Sequence, residues 1–348
     1  MTYRAVIPAS PADWAEWDAF VRSHPDGSIY HLFGWARVLK RAFDYDFRGF
    51  FLRDEGGAIA AVVPLFRVAG LAGHRLVGVP FRDRGGVLAR DSEAERAAYA
   101  EARDAARQFG ASGLVLKSCA DSDEDAIRSA GFSVSRYWVH SVMTLNEGEL
   151  WNRIGKKNRN MVRQAEKAGL EAEWKDATHV EAWYRLHRST QHRLGVPVFP
   201  RALFEAILDE GRDWARLLLI MDKERPVAGA IFFVFAQRYV YGYSASTPEG
   251  QAMRANDLML FEALKEAERS GARWFDFGSD SPKQDSLLAF KSKWGAVQSK
   301  TLVASIPPTD EAARDSSSGL YSAARAIGRL LPEALWAGLT SPLVKRLG

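Results

Sequence analysis

Two periodicities alternate along this chain, and each marks a kind of element. In the middle, Leu150, Ile154, Met161, Val162 and Ala165 recur at helical spacing, and Gly169 ends the pattern, so the stretch Trp151 to Gly169 reads as a helix with one buriable face. Similar patterns predict a helix opened by Ser10-Pro11-Ala12-Asp13 and carrying Trp14, Trp17 and Phe20. Others are predicted over Leu32–Phe43, Ser92–Phe109, Asp121–Ala130, His179–Leu194, Arg201–Glu210 and Asn256–Ser270. Strand patterns fall at Arg48–Arg53 and Ala58–Val68, joined by the hairpin signal Asp54-Glu55-Gly56-Gly57, then at Leu76–Val79, Gly113–Lys117 and Ser133–Leu145. In the second half they fall at Arg216–Met221, Val227–Phe235, Tyr239–Ser244, Trp274–Phe277 and Lys300–Ile306.

The two halves repeat one order. A helical lead-in precedes a hairpin, a further strand, a long helix and another strand, which predicts two α/β domains in tandem, 1–148 and 149–306. A linker and helical tail, 307–348, follow. In the tail Leu331, Leu335, Leu339, Leu343 and Leu347 share one stripe that Pro332 and Pro342 interrupt. Few cations accompany it, so it is expected to pack on the body, with peripheral contact to a membrane as the alternative.

Composition narrows the classes. A length of 348 residues suits two domains, and 47% apolar with 11% aromatic residues can fill their cores. A net charge of only +4 argues against a nucleic-acid sleeve, and DNA is not an expected partner. Cys119 is the sole cysteine, which excludes an intrachain disulfide and a thiolate cluster and reads as a core residue. No His, Cys and Asp grouping has ligand spacing, so no metal is expected. The N-terminal MTYRAVIPASPADW lacks a charged and an apolar region of the secretory kind, and no apolar run is long enough to span a bilayer. A cytoplasmic location, at most peripheral at the inner face of the membrane, is expected.

Positive charge is local. Lys156, Lys157, Arg159, Arg163 and Lys167 line the central helix beside Asn158 and Asn160, which suits a phosphorylated or nucleic-acid ligand; the alternative is a solvated face. The loop Arg82-Asp83-Arg84-Gly85-Gly86 could hold an anion between two arginines, or be a surface turn with an internal ion pair. His31 and His187 read as structural histidines.

Several motifs occur together in one order: Tyr30-His31 with Trp35, Val63-Pro64-Leu65, Pro80-Phe81 with Gly85-Gly86-Val87, and Lys157-Asn158-Arg159 through Arg163. Then come Arg193-Leu194-Gly195 with Pro197, Asn256 opening its helix, Phe275-Asp276-Phe277-Gly278, and Phe290-Lys291-Ser292-Lys293-Trp294-Gly295. Over roughly residues 28 to 305 this set resembles the FemAB superfamily, and is most similar to its members associated with exosortase (PEP-CTERM) and exopolysaccharide loci. The resemblance implies an α/β (α+β) fold of two tandem GNAT-like domains with mixed, mostly antiparallel sheets. It also implies transfer of an acyl or aminoacyl group to an amine of a cell-envelope, peptidoglycan or exopolysaccharide precursor.

No tightly bound cofactor is implied; the donor is aminoacyl-tRNA or acyl-CoA. Lys291 matches the family's motif lysine and could support the oxyanion and leaving group, or be a solvated strand-end lysine. Asp276 could take the amine's proton, or pair with an arginine. Tyr243 and Ser244 end a central strand and could donate hydrogen bonds to donor or substrate, with core packing as the alternative for Tyr243; Asn256 and Trp294 are further candidates for that contact. Three departures bear on this. Leu39 stands where family members carry lysine, and Arg84-Gly85-Gly86 replaces Arg-Gly-Pro. The turn Gln251-Ala252-Met253-Arg254-Ala255-Asn256 lacks the central glycine of a pyrophosphate-binding turn. A non-catalytic scaffold of the same fold and an RNA-binding module are the competing readings.

Overall fold

The computed structural model describes residues 2–70, 73–118, 122–145, 150–310 and 319–348, so the expectation for Cys119 lies outside the described residues. The chain divides into two compact units. The first comprises Met1–Trp138 with Lys300–Asp315 and Lys345–Gly348; the second comprises Val139–Ser299 with Ser316–Val344.

In the first unit, α1 (Pro11–Ser23) starts at a capping box: Ser10 Oγ accepts from the Asp13 amide and Asp13 Oδ2 accepts from the Ser10 amide, with Pro11 at the first position. Helix α2 (Phe33–Phe43) buries Trp35, Leu39 and Phe43. Strands β1 (Arg4–Val6), β3 (Phe50–Arg53), β4 (Ile59–Val63) and β7 (Leu88–Ala89) form one sheet in the order β1-β3-β4-β7. The apolar run expected as one strand over Ala58–Val68 is cut at Pro64, which has no amide to donate. Its second part, β5 (Phe66–Gly70), joins a different sheet. That sheet runs β2 (Asp46–Phe47), β5, β6 (Gly73–Val77), β8 (Gly113–Ser118), β17 (Leu302–Ile306), β9 (Ser133–Ser135). Helix α3 (Ser92–Gln108) covers the core with Ala98, Tyr99 and Ala102 against Leu65, Leu76 and Leu116, and α4 (Glu124–Ser129) adds Ile127.

The second unit holds one seven-stranded sheet. Its order is β11 (Leu170–Lys175), β12 (Ala215–Asp222), β13 (Arg225–Phe235), β14 (Arg238–Ser246), β15 (Trp274–Asp280), β10 (Val139–Thr144), β16 (Val297–Lys300). The central basic stretch is two helices, a single turn α5 (Leu150–Arg153) and α6 (Lys156–Lys167), because extended Gly155 separates them as an N-cap. Helix α6 and α10 (Ala255–Arg269) bury Val162, Ala165, Leu258 and Leu264 against Phe232, Tyr239 and Phe275. Helices α7 (Val180–Leu194) and α8 (Arg201–Glu210) bring Trp183 and Phe204 together. Short α9 (Pro248–Ala252) links β14 to α10, α11 (Asp285–Lys293) follows β15, and α12 (Gly319–Leu330) and α13 (Glu333–Val344) form the tail.

The expected repeat is present. In each unit a strand, a long helix and a parallel neighbour recur, β6–α3–β8 and β14–α10–β15, with two strands beyond, the nearer of them antiparallel. The expected limits 1–148 and 149–306 do not follow the units, because sheet pairing cuts across them. The run Ser133–Leu145 splits into β9 in the first unit and β10 in the second; the strand expected over Lys300–Ile306 is β17 of the first unit, and β16 just before it joins the sheet of the second. The six- and seven-stranded sheets therefore each receive their penultimate strand from the other half of the chain.

Candidate active site

The second sheet opens between β14 and β15. These parallel strands pair only from Arg238↔Trp274 to Val240↔Asp276. Just beyond, each carries a bulge. Gly242 is the extra residue of β14 between Tyr241 and Tyr243, and Phe277 with Gly278 lie opposite Ser141 alone on β10. Bulges bend a strand and increase its twist, which explains why the two strands part here. A Cβ on Gly242 would lie 2.3 Å from the Phe233 ring, so only glycine fits the bulge.

Asp276 is the last β15 residue paired with β14, and its carboxylate organises the parting. Buried Oδ1 accepts from the Gly278 amide at 2.8 Å and from His140 Nε2 at 2.7 Å. Gly278 has φ of +73°, the left-handed conformation that turns its amide back onto Asp276. An ionised carboxylate only accepts, so in this contact His140 donates from Nε2. Lys291 comes from α11 to the same segment: Nζ donates to the Phe277 carbonyl at 2.6 Å and lies 2.5 Å from Asp280 Oδ2. Lys291 is buried on a helix, not solvated at a strand end. The structure thus unites Asp276 and Lys291 at Phe277-Gly278 and adds His140 and Asp280. In the sequence His140 sat inside a plain strand pattern over 130 residues away, with no local signal to single it out.

The remaining candidates separate into groups. Tyr243 packs among Phe199, Phe204 and Phe233, while Ser244 is exposed and hydrogen-bonds Tyr241. Burial pushes the Tyr241 phenol up to about 12, with Ser244 acting the other way. Asn256 Nδ2 donates to Ser246 Oγ at 3.3 Å, where the end of β14 meets α10. Trp294 does not face a ligand: it is buried in the core with Met143 and Phe277. Lys156 and Lys157 are exposed at the first two positions of α6, whose first turn holds no acid and whose N-cap has no side-chain bond. Arg159 instead fastens the preceding turn, donating to the Trp151 and Ile154 carbonyls at 3.0 and 2.8 Å, and Arg163 lies 5.1 Å over the Trp151 ring. Asn158 is buried and donates to the Lys293 carbonyl.

In the first unit the matching parting is filled by the chain itself. Beyond Val77↔Val115, the Gly78 amide donates to Val115 and the Gly85 amide to the Lys117 carbonyl. A Cβ on Gly78 would sit 2.3 Å from the Gly85 oxygen, so the glycines serve backbone packing rather than a ligand. Arg82 and Arg84, expected to hold an anion, are buried: Arg82 lies 5.3 Å over both Tyr30 and Trp35, and Arg84 reaches Asp26 at 3.6 Å. His31 is structural, bonded to Ser28 and to the Gly86 carbonyl. Among the described residues no His, Cys, Asp and Glu grouping could hold a metal ion.

Residues 156–291 match the acetyltransferase (GNAT) domain family. The fold of the whole chain is similar to the crystal structure of FemX, with a TM-score of 0.70 and 20% identity over 86% of this chain and 96% of that one. It is also similar to a tandem GNAT protein from the clavulanic acid biosynthesis pathway, with a TM-score of 0.57 and 13% identity over 89% and all of the two chains. In sequence, a lipid II:glycine glycyltransferase of Staphylococcus aureus is 24% identical across 82% of this chain and 89% of its own length. Two GNAT-like units, the second open between its parallel strands, define a tandem GNAT acyltransferase. Within that class the chain resembles the FemAB superfamily, through its likeness to FemX and to the glycyltransferase.

Proposed function

We propose that this chain transfers an aminoacyl group from aminoacyl-tRNA to the amine of a lipid-linked or sugar-linked envelope precursor, at the parting of β14 and β15. The observation that carries this reading is the coincidence of the parting with the bonded pair His140–Asp276. Parted strands leave backbone donors and acceptors that an extended acyl donor can pair with. An imidazole oriented by a carboxylate can take the proton that the amine must lose, and Asp276 stabilises the imidazolium that forms. As the amine bonds to the acyl carbon, the ester C–O bond of the aminoacyl-tRNA breaks and the departing ribose oxygen takes up the proton that the imidazolium returns, so no covalent enzyme intermediate is needed. Lys291 holds Phe277-Gly278 in place, a positioning role suited to its burial.

The tRNA donor is favoured over acyl-CoA by the start of α10. There Asp257 occupies the first turn, and burial raises its carboxyl above the ordinary value, so an acid already stands where a pyrophosphate would bind. Lys156 and Lys157, set against the dipole of α6 with no acid beside them, suit a phosphate backbone instead. The glycyltransferase likeness over most of both chains agrees with an aminoacyl donor. Mass spectrometry of products formed by the purified chain with charged tRNA and acyl-CoA offered in parallel tests this. Aminoacylated amine from the tRNA arm is expected; turnover with acyl-CoA alone would overturn the choice of donor, and none with either would favour the scaffold.

A further inference from the structure

Helix α13 docks on the second unit by the side opposite its leucines. Ala337, Thr340 and Val344 of α13 are buried. Trp336 Nε1 donates to the Val196 carbonyl at 2.9 Å, Thr340 Oγ1 accepts from the Val198 amide, and Glu333 pairs with Arg188 on α7. Helix α12 meets α13 where a Cβ on Gly328 would touch the Trp336 ring, and Arg325 ties it to the Leu194 carbonyl. With these contacts made, Leu335, Leu339 and Leu343 stand 49, 52 and 53% exposed along one line at intervals of four, and Ile327 and Leu330 of α12 are exposed at 59 and 86%. A packed helix that presents its larger apolar residues to solvent is inverted relative to an ordinary amphipathic helix.

We propose that this leucine face lies on the surface of an anionic lipid bilayer and holds the enzyme at the interface where a lipid-linked amine is presented. The charge around it points to that occupant. Between Ser316 and Gly348 the chain has the cations Arg325, Arg329, Lys345 and Arg346 against one acid, Glu333, which Arg188 already engages. Arg329, Lys345 and Arg346 are exposed. Cations flanking an apolar strip are what an anionic interface attracts. Insertion would be shallow, since among the described residues no helix is long and apolar enough to cross a membrane. The function of this face rests on the lipid-linked acceptor proposed above, whereas its test does not use transfer.

The full chain is floated with vesicles of phosphatidylcholine, with and without phosphatidylglycerol, at low and high salt. Binding is expected to the anionic vesicles and to weaken with salt. Replacing the stripe by Leu335→Gln, Leu339→Gln and Leu343→Gln should weaken it about tenfold or more at unchanged melting temperature. Should the triple variant fail to fold, Leu339→Gln alone and Lys345→Gln with Arg346→Gln should each weaken binding measurably. Failure of the unaltered chain to float, equal binding by the variants, or a dimer in light scattering that the triple variant dissolves would each overturn the proposal. Turnover of a lipid-free acceptor analogue would show that the transferase reading survives such a failure.

Discussion

Asp276, His140 and Lys291 make different demands on a substitution. Asp276→Asn keeps an acceptor for Gly278 and His140 but removes the charge that stabilises the imidazolium, so kcat should fall about a hundredfold or more with little change in melting temperature. A variant with full kcat would clear the pair of a catalytic role. Lys291→Met instead removes both the ion pair to buried Asp280 and the donor to the Phe277 carbonyl, and breaking a buried pair costs about 3–5 kcal/mol, so stability and activity should fall together. This replaces the expectation that Lys291 acts mainly on the transition state. His187 offers a separate test. Burial among Trp183, Phe204 and Phe199 lowers its pKa to about 3, and Nε2 has no hydrogen-bond partner among the described residues. The unfolded imidazole takes a proton near pH 6.5 whereas the folded one does not, so stability is unaffected above that pH and is lost as pH falls below it. From pH 7 to 5 this one group should remove about 2 kcal/mol, and His187→Leu should shrink that loss by as much, measured by denaturant titration at both pH values.

At the scale of elements, the bulges decide whether there is a site at all. Gly242→Ala should cost about 1–3 kcal/mol through its clash with Phe233, and should raise the KM for the donor if relief straightens β14 toward β15. A neutral result in both would mean the parting does not depend on this glycine. The exposed lysines give the complementary prediction: Lys156→Glu with Lys157→Glu should weaken donor binding steeply at low salt without lowering the melting temperature. Arg159 and Arg163 are unsuited to that test, because they brace the α5–α6 junction. Most helices and the hairpins were legible in the sequence because their periodicity and caps are local, as with Ser10 and Asp13. What periodicity could not show was where an apolar run changes sheet, as at Pro64, or which residue of a strand is a bulge, since both depend on the partner strand. Arg82 and Arg84 misled for the same reason: their sequence context is that of a surface loop, and only the packing of Arg82 on Tyr30 and Trp35 and the reach of Arg84 to Asp26 reveal them as buried.

For the whole molecule, the tandem order was legible and the units were not. Internal repetition marks where a pattern restarts, whereas a folding unit is set by which strands complete which sheet. Here β10 sits between β15 and β16, and β17 between β8 and β9, each supplied by the other half of the chain. A fragment beginning at Glu149 therefore lacks the strand that pairs with both β15 and β16, and exposes the edge of β15 that carries Asp276 and Phe277. A sheet missing an interior strand presents two unpaired edges and loses half its contacts there, so such a fragment should be aggregation-prone and lack native packing. Residues 139–348 restore β10 and should give near-UV circular dichroism of a fixed aromatic core and a cooperative melt; residues 149–348 should give neither. Equal cooperativity in the two fragments would show that β10 is dispensable, and the second unit would then have to be redrawn without it.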